Sequence, residues 1–346
     1  MTIEIQRAIE IISRFGHLQA EEAEGVMNQI MRGEATEAQI GAYLMGLRMK
    51  GETEAEILGS ARAMRANAIR VPVRADGDLL DTCGTGGDRS GTFNISTTVA
   101  FVAAGAGVRI AKHGNRASTS QCGSADVLAA LGVNLDLTPD QVGRCVDEIG
   151  IGFLFAPKLH PAMKYAIGPR RQMGVRTIFN ILGPLTNPAG AQRQLMGVFT
   201  PDLTEFLANV LRELGTTSAI VVCGYGNMDE LTTTGPNRVS HYAGGAVRTY
   251  ELNPLDYHLK TAHISELMGG DSEANAAILR GILSGEIDSA KHDVVLLNAG
   301  AALIASGKVT TFEDGIALAR QVIDSGAALA RLDALIRFSQ ELANGG

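Results

Sequence analysis

The stretch DTCGTGGDRSGTFNIS, Asp81 to Ser96, carries four glycines, three threonines and two serines directly after the apolar approach GDLL. LLD reads as a strand and NISTTVAFVAA as the helix that follows. A glycine-rich turn between the two lets backbone N–H groups converge on an anion, with the helix dipole adding to the attraction. Two familiar phosphate loops do not fit: in a GxGxxG count from Gly84 the sixth position is Arg89, and no GK[ST] closes the turn. One βα unit later, KHGNRASTSQCGSAD (Lys112 to Asp126) delivers Lys112, His113, Asn115 and Arg116 to the same end of the expected sheet, where ligands gather in α/β folds. A lysine and an arginine beside a nest of amides suit a phosphate or pyrophosphate. A third element, MDELTTTG, places Asp229 and Glu230 after the strand SAIVVCG. Hard carboxylate oxygens next to phosphates are the ligands Mg²⁺ uses. His113 reads equally as a general base or as a hydrogen-bond donor.

These residues need a scaffold, and the chain spells one out. Its first seventy residues read as helices: Ile9, Ile12 and Phe15 share a face, as do Val26, Met27, Ile30 and Met31, and then Ile40, Tyr43, Leu44 and Leu47. Capping boxes at Thr36/Gln39 and Thr53/Glu56, with stops at Gly33 and near Gly51, set the helix ends. From Asp78 the texture changes to short apolar runs (LLD, VRIAKH, VNLDL, IGFLFA, QLMGVF, SAIVVCG) separated by helical stretches. That alternation predicts an α/β fold with a mainly parallel central sheet. Residues 160–188 break the alternation, read as helical, and are expected to pack back on the N-terminal unit. The tail from Asp271 reads as helix. The expected division is a small all-helical domain over 1–72, joined by part of 160–190, and a large α/β domain over 73–346.

Composition narrows the functional classes. A length of 346 residues with 45% hydrophobic content allows a sizeable core, and 41 glycines imply several sharp bends or close approaches. A net charge of −7 argues against a nucleic-acid partner. Four dispersed cysteines without a CxxC pair read as reduced thiols rather than a zinc site. The N-terminal MTIEIQRAIEIISRFGH lacks the basic head and apolar run of a secretory signal, and no apolar run reaches membrane-spanning length. The expectation is a cytoplasmic protein with no membrane partner.

Taken together, GTGGD, KHGNR, GSADVLAALG, HPAMK, GVRTIFNILGPLTNP and DELTTTGP, in that order over residues 84–236, resemble the anthranilate phosphoribosyltransferase family. The resemblance implies transfer of a phosphoribosyl group from 5-phosphoribosyl 1-pyrophosphate to the amine of anthranilate, in tryptophan biosynthesis. It implies a small helical domain and a large α/β domain with the active site between them, and a homodimer joined through the helical domains. Carried over motif by motif, Gly84, Gly87, Asp88, Thr92, Asn94, Ile95, Ser96 and Thr97 hold phosphoribosyl pyrophosphate. Lys112, His113, Gly114, Asn115, Arg116, Ala117, Ser118, Thr119, Ser120 and Ser124 complete that site. Gly84, Asn115 and Arg170 hold anthranilate, while Ser96, Asp229 and Glu230 bind Mg²⁺, two ions per subunit. The chain departs from the family after KHGNR, where Ser-Val-Ser-Ser-Lys-Ser is usual and ASTSQC stands here, so a hydroxyl is missing at Ala117 and a cation at Gln121.

The chemistry agrees with the residues. Displacing pyrophosphate from an anomeric carbon builds negative charge on the leaving group, which amides, Lys112 and a metal ion can meet. An aromatic amine is already neutral near pH 7, so positioning supplies much of the rate and no obligatory acid or base is assigned. Two other readings are a pyrimidine nucleoside phosphorylase, which shares the architecture but whose extended signature is absent, and a non-catalytic nucleic-acid-binding relative, against which the acidic balance speaks.

Overall fold

The computed structural model describes residues 3–117 and 121–345. Four helices come first: α1 (Ile5–Ser13), α2 (Ala20–Arg32), α3 (Glu37–Lys50) and α4 (Glu54–Ala66). The Thr36 and Thr53 hydroxyls accept from the Gln39 and Glu56 amides, which are the reciprocal boxes expected from the sequence. Gly33 ends α2 in the left-handed region at φ 73°. The expected faces of α2 and α3 are buried, but that of α1 is Ile5, Ala8 and Ile12. Phe15 lies beyond the end of α1, at φ 61°, and is 65% exposed. The helix stops two residues short of it, so Phe15 does not continue the buried face.

One buried ion pair organises this unit. Lys50 Nζ lies 2.7 Å from Glu56 Oε2, with the two side chains 1% and 0% exposed. The Glu56 carboxylate also accepts from the amides of Leu18 and Thr53, which pins the α1–α2 connection to α4. Glu56→Ala leaves Lys50 buried and uncompensated. The expected loss of stability is about 3–5 kcal/mol, measured by denaturant unfolding against the parent protein.

The α/β part follows: β1 (Leu80–Thr82), α5 (Ile95–Gly105), β2 (Ile110–Gly114), α6 (Ser124–Ala130), α7 (Pro139–Ile149), β3 (Ile151–Phe155), α8 (Ala156–Leu159), α9 (Lys164–Met173), α10 (Phe179–Leu182), β4 (Arg193–Gly197), α11 (Asp202–Glu213), β5 (Ser218–Cys223), β6 (Asn237–Ala243), β7 (Ala246–Leu252), α12 (Ser272–Leu283), α13 (Ala290–Ala305), α14 (Phe312–Asp324) and α15 (Ala327–Ala343). The seven strands run in the order β3-β2-β1-β4-β5-β6-β7. The first five are parallel, while β6 and β7 add an antiparallel hairpin that periodicity alone did not announce. VNLDL forms no strand. Its Asn134 side chain accepts from the Asp136 amide and its backbone bonds Ser339 of α15, so it turns between α6 and α7 instead of pairing.

Alternation along β5 splits the core in two. Ile220 and Val222 join the cluster with α5 and α12–α15, whereas Ala219, Val221 and Cys223 join the cluster with α11 and the N-terminal helices. Helix α9 packs against α2 and α3. No helix among the described residues is long and apolar enough to cross a membrane.

Candidate active site

Strand order reverses at β1, whose neighbours are β2 on one side and β4 on the other. The crevice beyond the carboxyl ends of strands at such a switch point is where α/β sheets bind ligands. The glycine loop follows β1, the KHGNR segment closes β2 and runs on past it, and the DE pair follows β5, so the sheet assembles all three there. Close backbone approaches weld the glycine loop, the end of β4 and the DE segment together. A Cβ on Gly197 would stand 1.5 Å from the Asp229 carbonyl oxygen, and one on Gly84 would stand 2.7 Å from Asp229 Oδ2. The Thr85 amide donates to the Gly197 carbonyl at 2.9 Å.

Gly86 and Gly87 both lie in the left-handed region, at φ 68° and 76°. The Gly86 amide donates to Asp229 Oδ2 at 2.6 Å, and the Ser96 amide, in the first turn of α5, donates to Glu230 Oε1 at 3.3 Å. The amides of Gly87, Asp88, Asn94 and Thr97 find no acceptor among the described residues. This is an anion cradle with donors to spare. A Cβ on Gly86 meets no protein atom within 4 Å. Gly86→Val should therefore cost stability only through its left-handed backbone, about 1–2 kcal/mol, while closing the space over the loop. Calorimetric titration beside a melting curve checks this: phosphoribosyl pyrophosphate binding is expected to vanish with only a small fall in melting temperature.

The carboxylates beside the cradle are charge-frustrated. Burial, then the neighbouring Asp88, pushes the Asp229 carboxyl above the ordinary range, and burial with Asp229 does the same to Glu230. Asp88 Oδ2 accepts from the Asp229 amide at 3.2 Å. Lys112 is buried, and its ammonium donates to the Thr82 carbonyl at 2.6 Å and to Ser96 Oγ at 3.2 Å. It thus holds the Ser96 hydroxyl and faces Glu230 electrostatically. Two hard carboxylates that repel each other, with a hydroxyl alongside, form a donor set suited to Mg²⁺, which takes one or two carboxylates and completes its shell from phosphates and water. Asp229, Glu230 and Ser96 would hold that ion. No set of three or more His, Cys, Asp or Glu among the described residues makes a closed metal site.

The second loop is less direct than its composition suggests. Arg116 pairs with Asp126 at 2.8 Å and lies over the Phe155 ring. Asn115 turns its side-chain oxygen to the Arg116 amide, and its carbonyl accepts from Ala125 and from Ser124 Oγ. Close packing of a prospective Cβ against Ser124 Oγ and Phe153 explains Gly114. Ala117 donates its amide to Asp126. Thr92 sits in an isolated bridge to Met268, while Ile95 buries its side chain and donates its amide to the Phe93 carbonyl. Ser118, Thr119 and Ser120 lie outside the described residues.

His113 is buried with Nδ1 at 3.2 Å from the Gly183 carbonyl, and its ring centroid is 5.1 Å from that of His160. Burial and His160 drive its pKa down to about 3, so the imidazole stays neutral and Nδ1 is the donor to Gly183. Of the two sequence readings, hydrogen-bond donation fits this position. The contact also joins the KHGNR loop to the 160–185 segment. Arg170, in the last turn of α9, lies over the Phe179 ring at 5.1 Å. It is half-buried, desolvation lowers its pKa, and no acid pairs with it among the described residues. Arg171 is exposed.

Several site-shaping residues carried no sequence signal. Asp81, fully buried, accepts from the His113 amide at 3.0 Å and from Asn187 Nδ2 at 2.8 Å, tying β1 to the second loop. Asn275 of α12 donates to Asn94 Oδ1 at 3.0 Å while Asn94 Nδ2 donates to the Cys122 carbonyl, which fixes the Asn94 amide. Only the TNP context of Asn187 hinted at a turn; Asn275 sits in an unremarkable helix start.

Comparison with known proteins identifies the relatives of this chain. Residues 76–329 match the model of the glycosyl transferase family, a/b domain, and residues 6–68 that of the glycosyl transferase family, helical bundle domain. A protein of Citrifermentans bemidjiense named anthranilate phosphoribosyltransferase is 53% identical over 97% of this chain and 99% of its own. One of the same name from Roseiflexus is 56% identical over 94% and 95%. The crystal structure of anthranilate phosphoribosyltransferase from Thermus thermophilus superposes with a TM-score of 0.91 at 44% identity, covering 96% of this chain and 99% of that one. The Saccharomyces cerevisiae enzyme in complex with PRPP and Mg reaches 0.90 at 26% identity, covering 97% and 98%. With a switch-point anion cradle, a carboxylate pair and both domains matched over nearly the whole chain, the protein belongs to the anthranilate phosphoribosyltransferase family.

Proposed function

We infer that the protein transfers the phosphoribosyl group of 5-phosphoribosyl 1-pyrophosphate to the amine of anthranilate, releasing pyrophosphate, in L-tryptophan biosynthesis. One observation carries this reading: the two carboxylates are anchored to the amides of the same loop and helix that form the anion cradle, Asp229 on Gly86 and Glu230 on Ser96. Cation ligands and phosphate donors are therefore one unit, as a metal-pyrophosphate leaving group requires. In the reaction the C1–O bond to pyrophosphate breaks, C1 bonds to the amine nitrogen, and the amine proton passes to solvent. The free amides of Gly87, Asp88, Asn94 and Thr97 take the phosphate oxygens, and Lys112 adds buried positive charge behind them. When bound, Mg²⁺ neutralises charge growing on the departing pyrophosphate; we assign two ions per subunit. Arg170 receives the anthranilate carboxylate, with Gly84 and Asn115 lining the acceptor's approach. Loss of anthranilate fluorescence in the presence of phosphoribosyl pyrophosphate and Mg²⁺ tests the assignment; phosphorolysis of thymidine instead would overturn it.

The protein acts as a cytoplasmic homodimer in this reading, joined through its helical domain. The apolar faces of α2 and α3 are consumed within the chain, so the support lies in what remains outside: Phe15 and Met49, 65% and 71% exposed, both on the helical unit. Sedimentation at micromolar concentration is expected to show a dimer, and Phe15→Ser with Met49→Ser to shift it towards monomer.

A further inference from the structure

Arg176, in the connection between α9 and α10, belongs to neither the metal set nor the acceptor pocket. Its guanidinium donates to the Gly87 carbonyl of the glycine loop and lies over the Phe199 ring, 4.2 Å from guanidinium carbon to ring centroid. Its own carbonyl accepts from Arg48 of α3, at 3.0 Å. No carboxylate pairs with it among the described residues. Phe199 stands two residues beyond the end of β4, whose last residue, Gly197, already receives the Thr85 amide. The arginine is thus gripped on one side by the helical domain and on the other by the sheet, with its tip on the loop.

A trans peptide points its C=O and N–H in opposite directions. Holding the Gly87 carbonyl towards Arg176 turns the Asp88 N–H away from it, and that amide has no acceptor among the described residues. Gly87 at φ 76° has no Cβ to resist a flip of this peptide, so an external contact must set its direction. We propose that Arg176 is a positioning residue that locks the Gly87–Asp88 peptide with its N–H available to the pyrophosphate, and that couples this loop to the helical domain through Arg48. The inference rests on the reading of the loop as the phosphoribosyl pyrophosphate site. It adds to that reading the device that keeps the loop in its donor state.

The test is calorimetric titration of phosphoribosyl pyrophosphate with Mg²⁺, which needs no turnover, beside steady-state kinetics and a melting curve. Losing a charge-assisted bond that aligns a donor is expected to weaken binding about tenfold or more in Arg176→Ala. The anthranilate KM and the melting temperature should move little. Arg176→Lys, which keeps a cation but lacks the planar guanidinium fork, should fall between. Arg48→Ala should shift the same parameter in the same direction by less, and should add nothing to Arg176→Ala. Unchanged phosphoribosyl pyrophosphate affinity in Arg176→Ala overturns the inference, as does a loss that follows a lowered melting temperature in both Arg176 variants. A parent protein that binds phosphoribosyl pyrophosphate but does not consume anthranilate sinks the assigned reaction and leaves the role of Arg176 to be decided by the binding data.

Discussion

Replacing Asp229 and Glu230 together by alanine lowers turnover by on the order of 10³-fold or more, since metal charge stabilisation is worth several kcal/mol and each 1.4 kcal/mol is tenfold. The fold survives, because burial and neighbouring charge (Asp88 beside Asp229, Asp229 beside Glu230) hold both carboxyls above their ordinary range, and relief of that repulsion offsets the two amide bonds given up. Steady-state rates with a melting curve check both halves, and normal turnover in the double variant removes the metal role. The sign of the pH effect follows from the same shifts. A carboxyl whose pKa rises on folding favours the folded state while protonated, and that contribution is lost as pH climbs through the raised value. Mg²⁺ takes the ionised form, so it should raise the melting temperature more at about pH 8 than at about pH 6. Equal gains at both would count against this site as the ion's seat.

Arg170→Ala is expected to raise the anthranilate KM roughly 30-fold or more, the consequence of losing a desolvated charge pair worth about 2–5 kcal/mol. Phosphoribosyl pyrophosphate affinity should stay nearly unchanged. Arg170 is partly desolvated over Phe179 with no acid beside it among the described residues, an arrangement that favours a ligand carboxylate. Arg171, one residue on, is exposed, and its alanine variant should change little. Arg170→Lys should recover only part of the loss, because an ammonium cannot grip a carboxylate in a planar fork. Equal weakening of both substrates, or of neither, would show that the acceptor carboxylate is held elsewhere.

Local chemistry is written in local sequence, and that is why so much of this protein was legible. Threonine three residues before Gln39 and Glu56 produced the capping boxes that the structure contains. The glycine loop lies between β1 and α5, and the DE pair follows β5 and its neighbouring turn, as their flanking residues implied. Phe15 and VNLDL show where pattern failed: apolar spacing cannot say that a helix ends at Ser13, or that a short apolar run will turn rather than pair. The β6–β7 hairpin needed its partner β5 to be defined at all. Contacts across the chain were beyond reach for the same reason. Gly86 lies 143 residues from the carboxylate it binds, Asn94 181 from Asn275, and Gly87 89 from Arg176. The KHGNR motif offered Lys112 and Arg116 together as cations beside the amide nest, yet folding buried the first against Ser96 and gave the second to Asp126. Residue type set what each group could do; the reversal of strand order at β1 decided which groups meet, because only the folded sheet brings those loop ends together.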